Sequence, residues 1–201
     1  MILAIDTAAP VIGAACGDKV FSQRIIRGAD AVLSVGLQDL LSSDVDVIAV
    51  SVGPGAFTGL RVGVATALGL AVARGIPVVP LSSLEARASM VHAPQVLALL
   101  DGRKGRAYAA LYRDGERIGE ELDVPPEQAI ALADGPFVAV GEGALVWREL
   151  IEAAGGRVID DADASPTPAM CRLAADREAI APAAVQLHYI RPPDAKKPKV
   201  S

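Results

Sequence analysis

The sequence has few aromatic residues and no excess of positive charge. Its 201 residues include three phenylalanines, three tyrosines and one tryptophan, and the formal net charge is −5. A protein that grips nucleic acid by itself usually has a basic surface and aromatic side chains on which bases stack. We therefore expect any nucleic acid to be held mainly by another molecule.

Cysteine and histidine are also scarce. Cys16 and Cys171 form no C-x-x-C pair, so the sequence predicts two reduced thiols and neither a zinc knuckle nor a disulfide framework. His92 and His188 are far apart and cannot form H-x-x-x-H or H-E-x-x-H. The chain also has no G-x-S-x-G motif. We expect no metal site and no catalytic residue. The lack of a histidine pair also argues against a metallopeptidase.

Long hydrophobic runs are missing as well. The longest uncharged stretch that could be helical, residues 62–73, has 12 residues, whereas a membrane span needs ~20. The first six residues have no basic segment and end in Asp6, so they are expected to form a strand and not a signal peptide. We expect a cytoplasmic protein without membrane contact.

Apolar residues are abundant, at 52% of the chain, which is enough for one large domain or two small ones. Apolar patterning predicts an alternation of strands and helices. In the first part of the chain the strands fall at 2–6, 11–16, 20–27, 45–52 and 76–79, and the helices at 31–42, after the turn at 53–59, and at 82–91, with Ser82 or Ser83 as N-cap.

The pattern then begins again. Strands are expected at 96–101, 106–112 and 137–140, and helices at 126–132 and 144–154. A repeated sheet-and-helix unit indicates a duplicated α/β architecture with a cleft between two lobes. We assign residues 1–94 to an N-terminal lobe with the partner-binding helices, and residues 95–201 to a smaller C-terminal lobe.

The segment Gly53–Arg61 joins a glycine-rich turn to a helix of small residues. Gly59, Gly63, Ala67 and Ala71 recur at a spacing of four, so they lie on one helix face that another backbone can approach closely. Two interpretations stay open: this face meets a partner, or it packs on the chain's own sheet. The preceding helix has one apolar stripe, made of Leu33, Leu37, Leu40 and Leu41.

Several motifs together resemble the TsaB (YeaZ-like) family. They are Ile2-Leu3-Ala4-Ile5-Asp6-Thr7, the G-P-G-x-F-T-G-x-R of residues 53–61, Asp101-Gly102-Arg103 with Tyr108, Gly141-Glu142-Gly143, and Tyr189-Ile190-Arg191 followed by Ala195 and Lys197. The resemblance covers nearly the whole chain. It implies the two-lobed fold of actin-like ATPases, sugar kinases and Hsp70-type ATPases (the ASKHA fold).

The resemblance also implies a role in threonylcarbamoyladenosine (t6A) modification of tRNA. Members pair with a TsaD-like catalytic subunit, are joined by a TsaE-like ATPase, and are expected to form a homodimer when alone. We predict a noncatalytic partner subunit with no cofactor of its own, except for ATP/ADP at the interface with its partner. The predicted partner-interface residues are Leu33, Leu37, Leu41, Phe57, Thr58, Gly59, Arg61, Gly63, Ala67 and Leu70.

A nucleotide site is only weakly indicated. In kinases of this fold a carboxylate such as Asp6 organises a metal-bound phosphate, and a glycine-rich turn follows it. Here the turn is Ala8-Ala9-Pro10, and the proline removes one backbone donor. The candidate nucleotide residues are Asp6, Thr7, Asp101 and Arg103, with structural hydrogen bonds and a solvated hairpin as the alternative. An ATP-dependent phosphotransferase of the same fold is the competing function.

Overall fold

The protein folds into two five-stranded sheets of matching topology. A computed structural model describes residues 1–41 and 44–191. The first sheet has the order β3-β2-β1-β4-β5 and the second β10-β9-β6-β7-β8. The strands are β1 Ile2–Asp6, β2 Val11–Cys16, β3 Lys19–Arg24, β4 Val47–Gly53, β5 Val78–Ser82, β6 Gln95–Asp101, β7 Ala107–Arg113, β8 Glu116–Val124, β9 Phe137–Val140 and β10 Gly156–Val158.

The two sheets are built in the same way. In the first, β1 pairs antiparallel with β2 and parallel with β4; in the second, β6 pairs antiparallel with β7 and parallel with β9. The outer strands β3 and β8 complete each meander, and β5 and β10 complete each parallel half. This duplication confirms the predicted two-lobed ASKHA fold.

Seven α-helices are described in residues 1–41 and 44–191. They are α1 Ala29–Gln38, α2 Phe57–Arg74, α3 Ser83–Ala88, α4 Pro126–Ile130, α5 Glu142–Val146, α6 Arg148–Ala153 and α7 Thr167–Ala175. Ser82 is the N-cap of α3, since its hydroxyl accepts from the amides of Leu84 and Glu85. Helix α2 ends at Gly75, which adopts the left-handed conformation that glycine tolerates best.

The sequence patterns placed several boundaries differently from the structure. Helix α1 starts and ends earlier than the predicted 31–42, and Ser42 lies outside the described residues. The predicted helix 144–154 is two helices, α5 and α6, which meet at Trp147. The strands β8 and β10 and helix α7 were not predicted.

The second lobe is smaller than predicted, because the chain returns to the first lobe after β10. Met170 and Ala174 of α7 pack with Ala4 of β1 in a fully buried cluster. Beyond α7, Ile180 forms an antiparallel bridge with Val78 of β5. Residues 167–187 therefore pack on the first lobe, although the sequence analysis assigned all of residues 95–201 to the second. Residues 192–201, including Ala195 and the basic Lys196–Lys199, lie outside the described residues.

Candidate functional site

The inner face of α2 is occupied by the protein's own chain. A Cβ built on Gly59 would overlap the carbonyl of Thr7, and one built on Gly63 would overlap the Thr7 hydroxyl. Ala67 and Ala71 are fully buried. The glycine and alanine stripe therefore lets α2 approach the turn after β1, and the idea that it faces a partner is corrected for Gly59, Gly63 and Ala67.

Other predicted interface residues also belong to the core. Leu33 and Leu37 of α1 are buried with Val64 of α2 against the first sheet. As partner-facing residues they are corrected too, because an apolar stripe on a short helix is what its own sheet requires. Leu41 and Leu70 are half-buried and pack on the edge of the same cluster. Phe57, Thr58 and Arg61, at the start of α2, keep some exposure.

The outer face of α2 is exposed and almost without charge. It consists of Ala65, Gly69, Val72 and Ala73, between Arg61 and Arg74; we call these four residues the α2 outer face. Val72 is 70% exposed, and Val35 on the neighbouring helix α1 is 64% exposed. Ala65, Gly69 and Ala73 have the same spacing of four as the buried stripe. Because α2 has small residues on both sides, the spacing could not tell which side is buried.

At the start of α2, Phe57 is covered by the C-terminal segment. The rings of Phe57 and Tyr189 lie 5.0 Å apart, centroid to centroid. The guanidinium of Arg61 lies 3.8 Å from the centre of the Phe57 ring, and its Nε donates to the Tyr189 hydroxyl at 3.2 Å. Phe57 therefore contacts two side chains of this same protein.

The same C-terminal segment reaches the second lobe. The amide of His188 donates to the carbonyl of Val52 at 2.8 Å, and its Nε2 lies 3.0 Å from Oε2 of Glu121 on β8. Arg191 donates to the carbonyl of Gly102 and to the Tyr108 hydroxyl. Residues 188–191, which we call the strap, thus contact both lobes beside the cleft.

Between the lobes lies a cleft of about 760 Å³, within the range of small-molecule sites. Its lining includes Thr7, Asp101, Arg103 and Glu142, together with the strap. Asp6 is not in the lining, since its side chain is completely buried behind the cleft. The structure thus places three of the four candidate nucleotide residues at the cleft and the fourth beneath it.

The turn after β1 packs closely against the glycine-rich turn before α2, and hydrogen bonds join the two turns. The Thr7 hydroxyl donates to the carbonyl of Gly59 at 2.7 Å, and the amide of Ala56 donates to the carbonyl of Ala8 at 2.8 Å. Gly55 lies so close to that carbonyl that an added Cβ would overlap it. The Thr7 hydroxyl and the Ala56 amide, two donors that could contact a phosphate, are therefore already bonded within the protein.

Asp6 makes a buried ion pair. Its Oδ2 lies 3.0 Å from Nη2 of Arg87, with the two side chains 0% and 3% exposed. A carboxylate that organises a metal-bound phosphate must offer its oxygens to the cleft, and this one is directed at an arginine. The residues present do not fit the metal and phosphate that nucleotide-binding members of this fold hold at that position.

Asp101 and Arg103 contact each other across a tight turn. Oδ1 of Asp101 accepts from the Arg103 amide at 2.8 Å, and its Oδ2 lies 3.1 Å from Nη1 of Arg103. Arg103 and Lys104 both have positive φ, 62° and 55°, which closes the hairpin between β6 and β7. The Arg103 side chain is 75% exposed, so this pair contributes little stability.

Glu142, which sequence reasoning did not single out as a site residue, is the most perturbed acid near the cleft. Burial raises its pKa to about 7, although Arg87 acts in the opposite direction. Its Oε1 accepts from the amide of Asp101 at 3.3 Å, and Oε2 is buried without a hydrogen-bond partner among the described residues. A carboxyl group of this kind holds a proton close to neutral pH.

Two further classes of site can be assessed from the described part of the chain. No group of three or more histidine, cysteine, aspartate or glutamate side chains that could hold a metal ion occurs within residues 1–41 and 44–191. Helix α2 is long and apolar enough to cross a membrane by length and composition alone. In this structure, however, one side of it is packed on the first sheet.

Comparison with known proteins assigns the chain to a family. Residues 19–153 match the family model TsaD, described as tRNA N6-adenosine threonylcarbamoyltransferase. The chain is 30% identical to the tRNA threonylcarbamoyladenosine biosynthesis protein TsaB of Escherichia coli, over 94% of each protein. It is 33% identical to the uncharacterized protein ML0378 of Mycobacterium leprae, where the match covers 98% of this chain but only 56% of the relative.

A solved structure agrees with that assignment. The structure titled YeaZ from Pseudomonas aeruginosa matches with a TM-score of 0.76 and 25% identity, over 94% of this chain and 99% of that one. The sequence relatives and the structural neighbour therefore point to the same group. The chain belongs to the TsaB (YeaZ-like) family.

Proposed function

We propose that this protein acts in the cytoplasm as a noncatalytic partner subunit for threonylcarbamoyladenosine modification of tRNA, by binding and supporting a TsaD-like catalytic subunit. The observation that carries the proposal is the α2 outer face, an uncharged surface of small residues on a helix whose other side is fixed to the sheet. The E. coli relative, which matches over 94% of each protein, is named for threonylcarbamoyladenosine biosynthesis, and this supports the proposed pathway.

Small residues suit a helix that packs closely against another helix. Ala65, Gly69 and Ala73 would allow a partner backbone to approach, and Val72 would add apolar area. Burial of such a surface contributes about 25 cal/mol per Å² of apolar area, less the cost of association. In the absence of the catalytic subunit, the same face supports a homodimer.

The accessory role is supported by the chemistry of the cleft. The Thr7 hydroxyl and the Ala56 amide are bonded between the two turns, and Asp6 is paired with Arg87. Any ATP or ADP would then be bound at the interface with the partner, and the TsaE-like ATPase would join the assembled pair. Contact with tRNA is made mainly by the catalytic subunit, in keeping with the negative charge of this chain.

The experiment that tests this proposal is titration of the TsaD-like subunit from the same organism into wild-type protein and two variants. Gly69→Arg places a long cation on the α2 outer face at a position with no neighbour within 4 Å of an added Cβ. Val146→Arg adds the same side chain to an exposed position in the second lobe. We expect Gly69→Arg to lower the affinity at least about 100-fold, the loss of roughly 3 kcal/mol, and Val146→Arg to leave it unchanged.

The competing function, an ATP-dependent phosphotransferase, is tested on the same protein. Steady ATP turnover by the purified chain alone, stimulated by a small acceptor, would replace the accessory role with catalysis. If Gly69→Arg and wild type bound the TsaD-like subunit with equal affinity, the α2 outer face would not be the binding surface.

A further inference from the structure

Arg87 is a buried cation at the junction of the two lobes. It lies on α3, is 2% exposed, and donates from Nη1 to the carbonyl of Ser83 at 2.9 Å and from Nη2 to Asp6 at 3.0 Å. Its aliphatic part passes the second lobe, since a Cβ built on Gly141 would lie 3.4 Å from Cδ of Arg87. The side chain therefore contacts the end of β1 and the turn before α5 together.

Two carboxyl groups share this one guanidinium. Asp6 is in direct contact with it, and Glu142 lies near enough for the positive charge to act on its ionisation. One oxygen of each acid, Oδ1 of Asp6 and Oε2 of Glu142, is buried without a hydrogen-bond partner among the described residues. A buried charge is costly unless it is paired, so one cation can balance only one of these two carboxylates.

We infer that Arg87 is the built-in cation of the interlobe cleft: its guanidinium holds the Asp6 carboxylate of the first lobe beside the Gly141-Glu142 turn of the second. It pairs with Oδ2 of Asp6, which is therefore not offered to a metal-bound phosphate. The lobes are held together there by the chain itself, without a nucleotide. Arg87 forms its ion pair with Asp6, and burial raises the pKa of the second carboxyl group, Glu142, to about 7.

The arrangement around the three residues agrees with this role. The amide of Gly141 donates to the carbonyl of Ala162 at 2.6 Å, so the turn that carries Glu142 is fixed from its other side. Gly141 has a φ of 98° and lies against the carbonyl of Leu99, so this turn requires glycine. Arg87 thus bridges two rigid elements, and it does not depend on partner binding to do so.

Thermal unfolding of three variants tests the inference. Arg87→Met keeps most of the side-chain volume and removes the charge, which leaves Asp6 buried and unpaired; we expect the melting temperature to fall by about 10 °C. Arg177→Met is the matched control, since Arg177 forms an exposed ion pair with Glu85 of the same helix α3, and its change should stay within about 2 °C.

The double variant Asp6→Asn with Arg87→Met separates charge balance from packing. If Arg87 acts as a counter-ion, neutralising Asp6 should recover most of the lost melting temperature. A double variant as unstable as Arg87→Met alone would overturn the inference, because the side chain would then act by volume and hydrogen bonding to Ser83. If Arg87→Met yields no folded protein, recovery of folded double variant supports the inference and its failure refutes it.

Calorimetric titration of wild-type protein with ATP and Mg²⁺ gives an independent result. We expect no saturable binding to the chain alone. Magnesium-dependent ATP binding that Asp6→Asn abolishes would show that Asp6 is available to a metal, and would overturn the inference irrespective of the unfolding data.

Discussion

The hydroxyl of Thr7 donates a hydrogen bond to the backbone carbonyl of Gly59 across a distance of 2.7 Å. This bond joins the turn after β1 to the first turn of α2, and it accounts for the glycines at 59 and 63. Both are positions where a side chain would meet Thr7. The glycines of this segment therefore allow the turn after β1 to pack closely against the start of α2.

The first prediction concerns the two faces of α2. Gly63→Ala should destabilise the protein by about 2 kcal/mol, because the new methyl group overlaps the Thr7 hydroxyl. Gly69→Ala is the matched control and should stabilise it by about 0.5–1 kcal/mol, since alanine favours a helix and this position is open. Urea denaturation measures both, and equal effects of the two changes would contradict the assignment of inner and outer faces.

The second prediction concerns the strap. Tyr189→Ala removes the ring that covers Phe57 and should cost about 1–2 kcal/mol, whereas Tyr189→Phe loses only the bond from exposed Arg61 and should cost less than about 1 kcal/mol. Denaturation curves give the size of each effect. If both variants matched wild type, the strap would not stabilise the start of α2.

The third prediction concerns the pH dependence of stability. The pKa of Glu142 rises from 4.5 to about 7 on folding, so the folded state binds more protons than the unfolded chain between these values. The contribution of Glu142 to stability therefore falls as pH rises through that window and is lowest above pH 7. Glu142→Gln should be more stable than wild type there by about 2 kcal/mol, with the difference shrinking toward pH 4.5.

This difference is measured by denaturation of both proteins across the pH range. The other titrating groups are common to the two proteins and cancel in the comparison. A constant difference at all pH values would show that Glu142 does not change its protonation on folding.

The fourth prediction concerns self-association. Val72→Asp places a charge near the C-terminal end of the α2 outer face, where an unpaired carboxylate would be buried at the proposed dimer interface. Sedimentation velocity should then show a monomer in place of the proposed homodimer. Val146→Asp in the second lobe is the control and should sediment like wild type. A dimer that persists in Val72→Asp would place the interface elsewhere.

The fold could be predicted from the sequence because the patterns that indicate strands, helices and turns are local. Apolar runs marked β1, β4 and β6, and the glycine-rich turn marked the start of α2. Strand β8 was missed because its sequence, Glu116–Val124, is an edge strand with four acids, and charged residues at a sheet edge hide the alternation. Helix α7 was missed because it is short and flanked by loops, and its return to the first sheet is a long-range contact.

For the candidate site, residue types could be predicted from the sequence, but their partners could not. Asp6 was correctly placed at a strand end, but its pairing with Arg87 joins residues 81 positions apart, and no spacing in the sequence indicates it. The same limit applies to α2, which has small residues on both sides. The sequence therefore did not show which face packs on the sheet and which face is exposed. Glu142 could not be identified as a site residue from the sequence, because the Gly141-Glu142-Gly143 motif does not show that its carboxyl group is buried.

We propose that this chain supports a catalytic subunit and does no chemistry of its own. This proposal is tested most directly by measuring t6A formation on tRNA by the TsaD-like subunit, with the other components of the pathway supplied, in the presence of wild-type protein, Gly69→Arg or no addition. We expect strong stimulation by wild type and little or none by Gly69→Arg, with circular dichroism to check that the variant is folded. Equal product without this chain, or full stimulation by Gly69→Arg, would contradict the proposal.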